Sequence, residues 1–312
     1  MFTQIKPMCA DSVKPEKLDL LYSDNNWIAE MKYDGSRYCF QIRKEGCMFS
    51  SRTESVKGGQ VDKVKNVPQI CEEALKHFPI NTVLDGEVDV VEGRNFKRVQ
   101  GIMGSLPERA LALQKDDPLV YKVFDILELD GVDLRNRPYK ERRHLLEALF
   151  NSFPQKYIRL CEIHKGEEAK RDLFAKAMRE KAEGIMLKNL DGIYKEDKRP
   201  ANTWVKIKKV ANYDGIVKGY KYGTPGTKFE HGLGTLTVHQ YLEDGSLVEV
   251  AECGGVDFKE RVEFKERLDK GETFIIEFSA CELFEETHRY RHPSFVRIRT
   301  DKNEKECHYG KI

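Results

Sequence analysis

The sequence is short of several things, and each shortage excludes a class. No apolar run approaches the roughly 20 residues a membrane-spanning helix needs, and residues 1–10 lack the basic stretch and apolar core of a secretory signal. A soluble, intracellular, cytoplasmic protein with no membrane partner is the expectation. The eight cysteines form no C-x-x-C pair, so neither a zinc ribbon nor a small disulfide framework is written here, and reduced thiols are expected. There is no G-x-x-x-x-G-K-[ST], since residues 223–228 have the wrong spacing, and no H-E-x-x-H. P-loop and helix-borne zinc chemistry are therefore set aside. An excess of one charge is also missing, with 53 Lys and Arg against 52 Asp and Glu, so any surface for a polyanion must be local. No internal repeat or low-complexity tract is seen. What remains is a 312-residue chain, 40% hydrophobic and 34% charged, long enough for two domains with a sizeable core.

The stretch Glu30-Met31-Lys32-Tyr33-Asp34-Gly35-Ser36-Arg37 stands out first. Trp27, Ile28 and Ala29 precede it as the end of a buried extended run, and Tyr38, Phe40 and Ile42 alternate with polar residues after it. Asp-Gly between two such runs reads as a hairpin, because glycine accepts a positive φ at no steric cost. Lys32 then sits at a strand end, either as a solvated turn residue or as a nucleophile.

Further along, 46–50 reads as a strand and 67–78 as a helix. In the apolar run 82–91, period-two alternation puts Asp85, Glu87 and Asp89 on one face, to meet solvent or a cation. Residues 107–116 read as a short helix and 119–127 as a buried strand, inside which Asp125 needs a partner or a ligand. Amphipathic helices follow Pro138 and Gly166. Glu183-Gly184-Ile185-Met186-Leu187-Lys188 is a short strand, and Trp204-Val205-Lys206-Ile207-Lys208 projects Lys206 and Lys208 to one side. Two like charges at that spacing suit an anion, or an exposed edge.

After Lys209 the character changes to short strands separated by glycine- and aspartate-rich turns, with one helix at 258–270. This is the pattern of a small Greek-key barrel of the OB type. From Lys209 onward the chain is not basic overall, with 16 Lys and Arg against 19 Asp and Glu, but Arg289, Arg291, Arg297, Arg299 and Lys302 cluster in its tail. Residues 220–233 are a candidate flexible loop, or an ordinary barrel connection.

Together these pieces form one constellation. A lysine amine, a divalent cation held by Glu87 and Glu183, cations at Arg37, Arg52, Lys206 and Lys208, and apolar surface at Phe124 and Met186 suit attack on a nucleotide α-phosphate. Here the sequence resembles the ATP-dependent DNA ligases, in the superfamily of covalent nucleotidyltransferases. K-x-D-G is met by Lys32-Tyr33-Asp34-Gly35. Ser51-Arg52, Asp85-Gly86-Glu87, Val123-Phe124-Asp125, the strand from Glu183 to Lys188, the strand from Trp204 to Lys208, and Arg297-Ile298-Arg299-Thr300-Asp301-Lys302 follow in order.

The resemblance implies an α+β fold. A nucleotidyltransferase (adenylation) domain of antiparallel sheets and flanking helices, 1–209, would precede an OB-fold domain, 210–312. It implies lysyl-AMP at Lys32, with Asp34, Lys206 and Lys208 as catalytic partners. Glu30, Arg37, Arg52, Glu87, Phe124 and Met186 would contact the nucleotide, and Arg299, Asp301 and Lys302 would orient pyrophosphate. Glu87 and Glu183 would support the metal. ATP and Mg²⁺ are the implied cofactors and nicked duplex DNA the partner, for a monomer with no obligate protein partner. Lys6-Pro7-Met8 resembles the start of the nucleotidyltransferase domain, so a minimal two-domain form is expected. The same lysine chemistry serves RNA ligases and capping guanylyltransferases, while a non-catalytic OB-type binding protein would leave Lys32, Glu87 and Glu183 without a role.

Overall fold

The computed structural model describes residues 1–13, 17–54, 59–91, 96–180, 182–208, 210–284 and 286–311. The chain divides into two compact units, Met1–Ile207 and Lys208–Ile312. The first runs Asp11–Ser12 (β1), Leu18–Ser23 (α1), Trp27–Lys32 (β2), Ser36–Arg43 (β3), Gly46–Glu54 (β4), Gln60–Asp62 (β5), Pro68–His77 (α2), Thr82–Val90 (β6), Phe96–Gly104 (α3), Pro107–Leu113 (α4), Leu119–Leu129 (β7), Val132–Asp133 (β8), Tyr139–Phe150 (α5), Ile158–Leu160 (β9), Glu167–Arg179 (α6), Gly184–Asn189 (β10) and Trp204–Lys208 (β11). One sheet has the order β1-β11-β10-β2, and the other β5-β4-β3-β6-β7-β8 with β9 beside β7. β2 with β10, β3 with β4 and β6, β4 with β5, and β7 with β6 and β8 pair antiparallel, whereas β1 with β11 and β7 with β9 are parallel.

The expected hairpin around Asp34-Gly35 does not form. β2 pairs with β10 while β3 lies between β4 and β6, so the Asp-Gly step carries the chain from one sheet to the other. Both strands are largely buried and find apolar partners elsewhere, which outweighs the local turn signal. Nor is Gly35 among the glycines of positive φ. Its requirement is proximity, since a Cβ there would lie 2.0 Å from the carbonyl oxygen of Val88 on β6. Gly86 is similar, with a Cβ landing 2.6 Å from the Lys122 carbonyl oxygen on β7.

Three apolar clusters hold this unit. One joins β3, β6 and β7 to α2–α5 through Phe40, Leu84, Tyr121, Ile70 and Leu146. A second packs α6 on β2 and β10 through Leu173, Ala177, Ala29 and Ile185. There the Lys170 ammonium, on the inner side of α6, is consumed by the carbonyls of Leu21, Asp24 and Trp27. The third, with Met8, Cys39, Val83, Leu127, Tyr194 and Trp204, draws on strands of both sheets.

The second unit comprises Ala211–Tyr222 (β12), Leu233–Tyr241 (β13), Leu247–Cys253 (β14), Phe258–Asp269 (α7), Phe274–Ala280 (β15), Glu282–Phe284 (β16), Arg289–Arg291 (β17) and Ser294–Arg299 (β18). β14-β13-β12-β15-β18 form an antiparallel half-barrel around Val217, Leu236, Val250, Phe264, Ile276 and Phe278, an OB-like sheet. Asp257 and Glu260 close a capping box at the start of α7. The basic tail is in fact strand: β18 pairs with β15, with a register shift between Glu277 and Phe278 that breaks the alternation a sequence scan looks for. The 220–233 segment folds on itself, with the Gly223 N–H donating to the Phe229 and Gly232 carbonyls and the Arg261 guanidinium over the Phe229 ring at 4.4 Å. No helix among the described residues is long and apolar enough to cross a membrane.

Candidate active site

Antiparallel pairing explains how residues 151 apart in sequence come together. β2 and β10 register Lys32 opposite Gly184, which sets Glu183 beside the lysine. The Lys32 Nζ lies 2.5 Å from the Glu183 Oε2. Lys32 keeps 22% of its side chain exposed, and Glu183 9%. One amine is thus held at a strand end by one carboxylate, and still meets solvent.

The row of carboxylates on β6 is divided among the protein's own cations. Asp85, fully buried, takes a fork of hydrogen bonds from Arg37, Nε at 2.9 Å and Nη2 at 2.6 Å, and a third from the Tyr194 hydroxyl at 2.7 Å. Asp89, also buried, is paired with Lys122 at 2.7 Å. Glu87 lies between them, half-buried on the wall of a cavity. Burial pushes its carboxyl up to about 8, against the pull of Lys32 and Arg37 and with the help of Glu183 and Asp85.

That shift has a consequence for stability. The folded pKa of Glu87 is raised, so between pH 4.5 and about 8 the folded chain holds a proton the unfolded chain has lost, and stability from this group falls as pH rises through that window. Glu87→Gln cannot ionise. Its melting temperature should gain on the unsubstituted protein as pH rises, by ~2–5 °C at the alkaline end. Parallel melting curves across the range would refute the shift.

A cavity of about 640 Å³ opens here, lined by Lys32, Gly35, Arg37, Arg52 and Glu87. Cys9, Lys63, Phe96, Gln100 and Met103 also line it, and sequence reading did not single them out. Lys63 and Gln100 sit in ordinary helical and turn contexts with no motif around them, so only the fold reveals their address. Cys9 faces Arg52, whose Nη1 approaches its Sγ at 3.9 Å.

The other sequence-identified residues lie elsewhere. Phe124 and Met186 pack together on the third apolar cluster. Arg37 joins the two places, lining the cavity while its guanidinium lies over the rings of Phe124 at 5.4 Å and Trp204 at 5.3 Å. Glu30 is 2% exposed, and its carboxylate is taken by the Tyr139 hydroxyl at 2.5 Å and the Lys188 ammonium at 2.7 Å. Asp34 sits in the connector between the sheets. Lys206 and Lys208 are the half-buried positions of β11, alternating with buried Val205 and Ile207. In the second unit Arg299 and Lys302 converge on Asp214, at 2.7 and 2.5 Å, and Asp301 closes a fork on Arg299. Asp214 is a further residue the sequence did not mark.

Mg²⁺ favours one or two carboxylates plus substrate phosphates. Glu87 and Glu183 fit that need: they are close enough to raise each other's charge cost, and both flank Lys32. Among the described residues no group of three or more His, Cys, Asp or Glu gathers to hold a metal, so a cation here would depend on phosphate oxygens.

The fold is that of a nucleotidyltransferase domain followed by an OB-like domain. It is shared with a Lig E DNA ligase described as binding DNA with a minimal scaffold (TM-score 0.65, 17% identity, 95% of this chain and 100% of that one). The ligase domain of M. tuberculosis LigD shares it too (TM-score 0.52, 24% identity, 97% of each chain). The chain belongs to the ATP dependent DNA ligase domain family, which matches residues 7–208. Curated relatives include the DNA ligases of Thermococcus fumicolans, 27% identical over 97% of this chain and 57% of that protein, and of Methanocorpusculum labreanum, 29% identical over 88% and 52%. The chain spans about half the length of these relatives.

Proposed function

We propose that this chain is an ATP-dependent DNA ligase that seals nicks in duplex DNA. The observation that carries the reading is the strand-end amine of Lys32, partly open to solvent, paired with Glu183 and lining a cavity shared with Arg37, Arg52 and Glu87. Lys32 would attack the α-phosphorus of ATP, expelling pyrophosphate and carrying AMP as a phosphoramidate. The AMP would pass to the 5′-phosphate of a nick and leave when the 3′-hydroxyl attacks. Arg37, fixed by Asp85, offers a rigid guanidinium to the nucleotide, and Phe124 and Met186 offer apolar faces to the base. Mg²⁺ bound at Glu87 and Glu183 would supply charge stabilisation to the transferring phosphoryl group. Lys206 and Lys208 would draw the phosphate forward, with Asp34 acting in the later steps, and Arg299, Asp301 and Lys302 would orient the leaving pyrophosphate. The protein would act as an intracellular monomer, gripping DNA mainly through phosphates, so binding should be salt-sensitive and indifferent to sequence.

The test is incubation with labelled ATP or GTP and Mg²⁺ after stripping bound nucleotide with pyrophosphate, then addition of nicked DNA. An AMP adduct that is discharged by the nick supports the reading. A GMP adduct points to capping chemistry, and no adduct refutes nucleotidyl transfer.

A further inference from the structure

The Arg37 guanidinium lines the cavity with little freedom left. Its Nε and Nη2 bond the Asp85 carboxylate, Nη2 also reaches the Tyr194 hydroxyl at 3.3 Å, and Nη1 donates to the Met8 carbonyl at 2.7 Å. A guanidinium has five N–H groups. Four are held by the protein, and one on Nη1 has no partner among the described residues. The side chain is 26% exposed, so that last N–H is available to a ligand in the cavity.

What sets the direction of that N–H meets at one oxygen. Tyr194 lies in the connector between β10 and β11 and is 2% exposed. Its hydroxyl donates to the Asp85 Oδ2 at 2.7 Å, and accepts from the Met8 N–H at 3.0 Å and from Arg37. A phenol offers one donor and two acceptor sites, so this oxygen is fully used. It acts on Arg37 by three routes: directly, through Asp85, and through Met8, whose carbonyl holds Nη1. The segment around Met8 rests on the same connector. The Asp197 N–H donates to the Lys6 carbonyl at 3.1 Å and the Cys9 N–H to the Lys198 carbonyl at 2.8 Å, and Pro7 and Cys9 line the cavity. The Tyr194 ring has a separate task, meeting Trp204 edge-on at 5.8 Å. Ring and hydroxyl can therefore be tested apart.

We infer that Tyr194 is a positioning residue for nucleotidyl transfer, its hydroxyl aiming the remaining Arg37 N–H at the nucleotide. The inference rests on the ligase reading. Without that oxygen the Met8 N–H, in a residue 0% exposed, is buried with no acceptor, and Asp85 is short of one donor. Arg37 keeps its ion pair with Asp85 but loses the two other contacts that stop it turning about that fork: the hydroxyl itself, and a Met8 carbonyl held in place.

Tyr194→Phe removes one oxygen and keeps the ring against Trp204. Protein stripped of nucleotide is mixed with labelled ATP and Mg²⁺, and the rate constant and amplitude of lysyl-AMP formation are followed across ATP concentrations. The rate constant at saturating ATP should fall about tenfold, with the half-saturating concentration within about twofold and the amplitude unchanged. A merely structural defect would lower the amplitude, by removing folded protein, and leave the rate constant alone. In an Arg37→Ala background, Tyr194→Phe should slow loading by less than about twofold, because its effect passes through the guanidinium. Equal losses in the two backgrounds would overturn the inference, as would an unchanged rate constant. Should Tyr194→Phe not fold, Asp85→Asn breaks the same junction from β6 with the ring intact, and the same two criteria decide. Failure of the unsubstituted protein to load would instead remove the ligase reading on which the inference stands.

Discussion

Lys32→Arg should fold, melt within a few degrees of the unsubstituted protein, and form no AMP adduct. The change isolates nucleophilicity from charge. Arginine preserves the cation opposite Glu183, so the carboxylate, only 9% exposed, is not left without a partner. A guanidinium is not deprotonated in proteins and cannot attack phosphorus. Lys32→Ala removes both functions, and adduct formation should drop by at least about 10³-fold. Its melting temperature should also fall, because Glu183 loses the ion pair. Measured together by labelled-nucleotide transfer and thermal melting, the two variants form a pair. If arginine retained a measurable fraction of adduct, another amine would be the nucleophile, and the site assignment would move off β2.

Asp125→Ala should be the most destabilising single substitution in the first unit. Asp125 and Arg142 are both 0% exposed and meet through a fork, Nε at 2.7 Å and Nη2 at 2.8 Å. Removing the carboxylate strands a buried guanidinium, a loss of about 3–5 kcal/mol. In a unit of this size that corresponds to a melting temperature lower by roughly 6–20 °C. The guanidinium would keep only its bonds to the carbonyls of Arg137 and Gly192. The double variant Asp125→Ala, Arg142→Leu should be more stable than the sum of the two single changes, because the uncompensated charge is gone. Strict additivity in thermal or denaturant melts would mean the pair contributes little. Asp125 does not line the cavity, so any folded fraction at low temperature should still take up AMP.

These two predictions also show where sequence was informative. The demand of Asp125 for a partner follows from its place in an apolar strand, but the partner lies on α5, and no periodicity says which arginine of that helix turns inward. Lys32, Arg37 and Glu87 line one cavity, and the sequence marked Glu87 by strand alternation, Lys32 by its place at a strand end and Arg37 by the resemblance. The pairing of Lys32 with Glu183 depends on β2–β10 register, which a single sequence does not carry. The error at Asp34-Gly35 came from reading a local turn preference where burial of both flanking strands decided the topology. β18 was missed because arginines alternate with Val296 and Ile298, so its pattern resembles a solvated tail until Glu277 and Asp214 are seen to neutralise those charges. The resemblance implies that Glu30 contacts the nucleotide. Tyr139 and Lys188, far along the chain, enclose it. Lys63 carried no signal at all, because its place on the cavity wall comes from a turn held between β4 and the α3–α4 corner.

The alternation of β6 also fixes how this gene can change in length. Asp85 answers Arg37, Glu87 opens on the cavity, Asp89 answers Lys122, and Gly86 lets β7 approach between them. Losing or gaining one codon in that strand would exchange its carboxylates for leucine, glycine and valine all along the row. It would strand Arg37 and Lys122 together and drive a side chain into the Lys122 carbonyl. A point substitution there removes one interaction, whereas a one-residue register slip removes all of them. The pairing register of 82–90 with β3 and β7 is therefore a ruler, and a change of length near this strand must fall in its connectors.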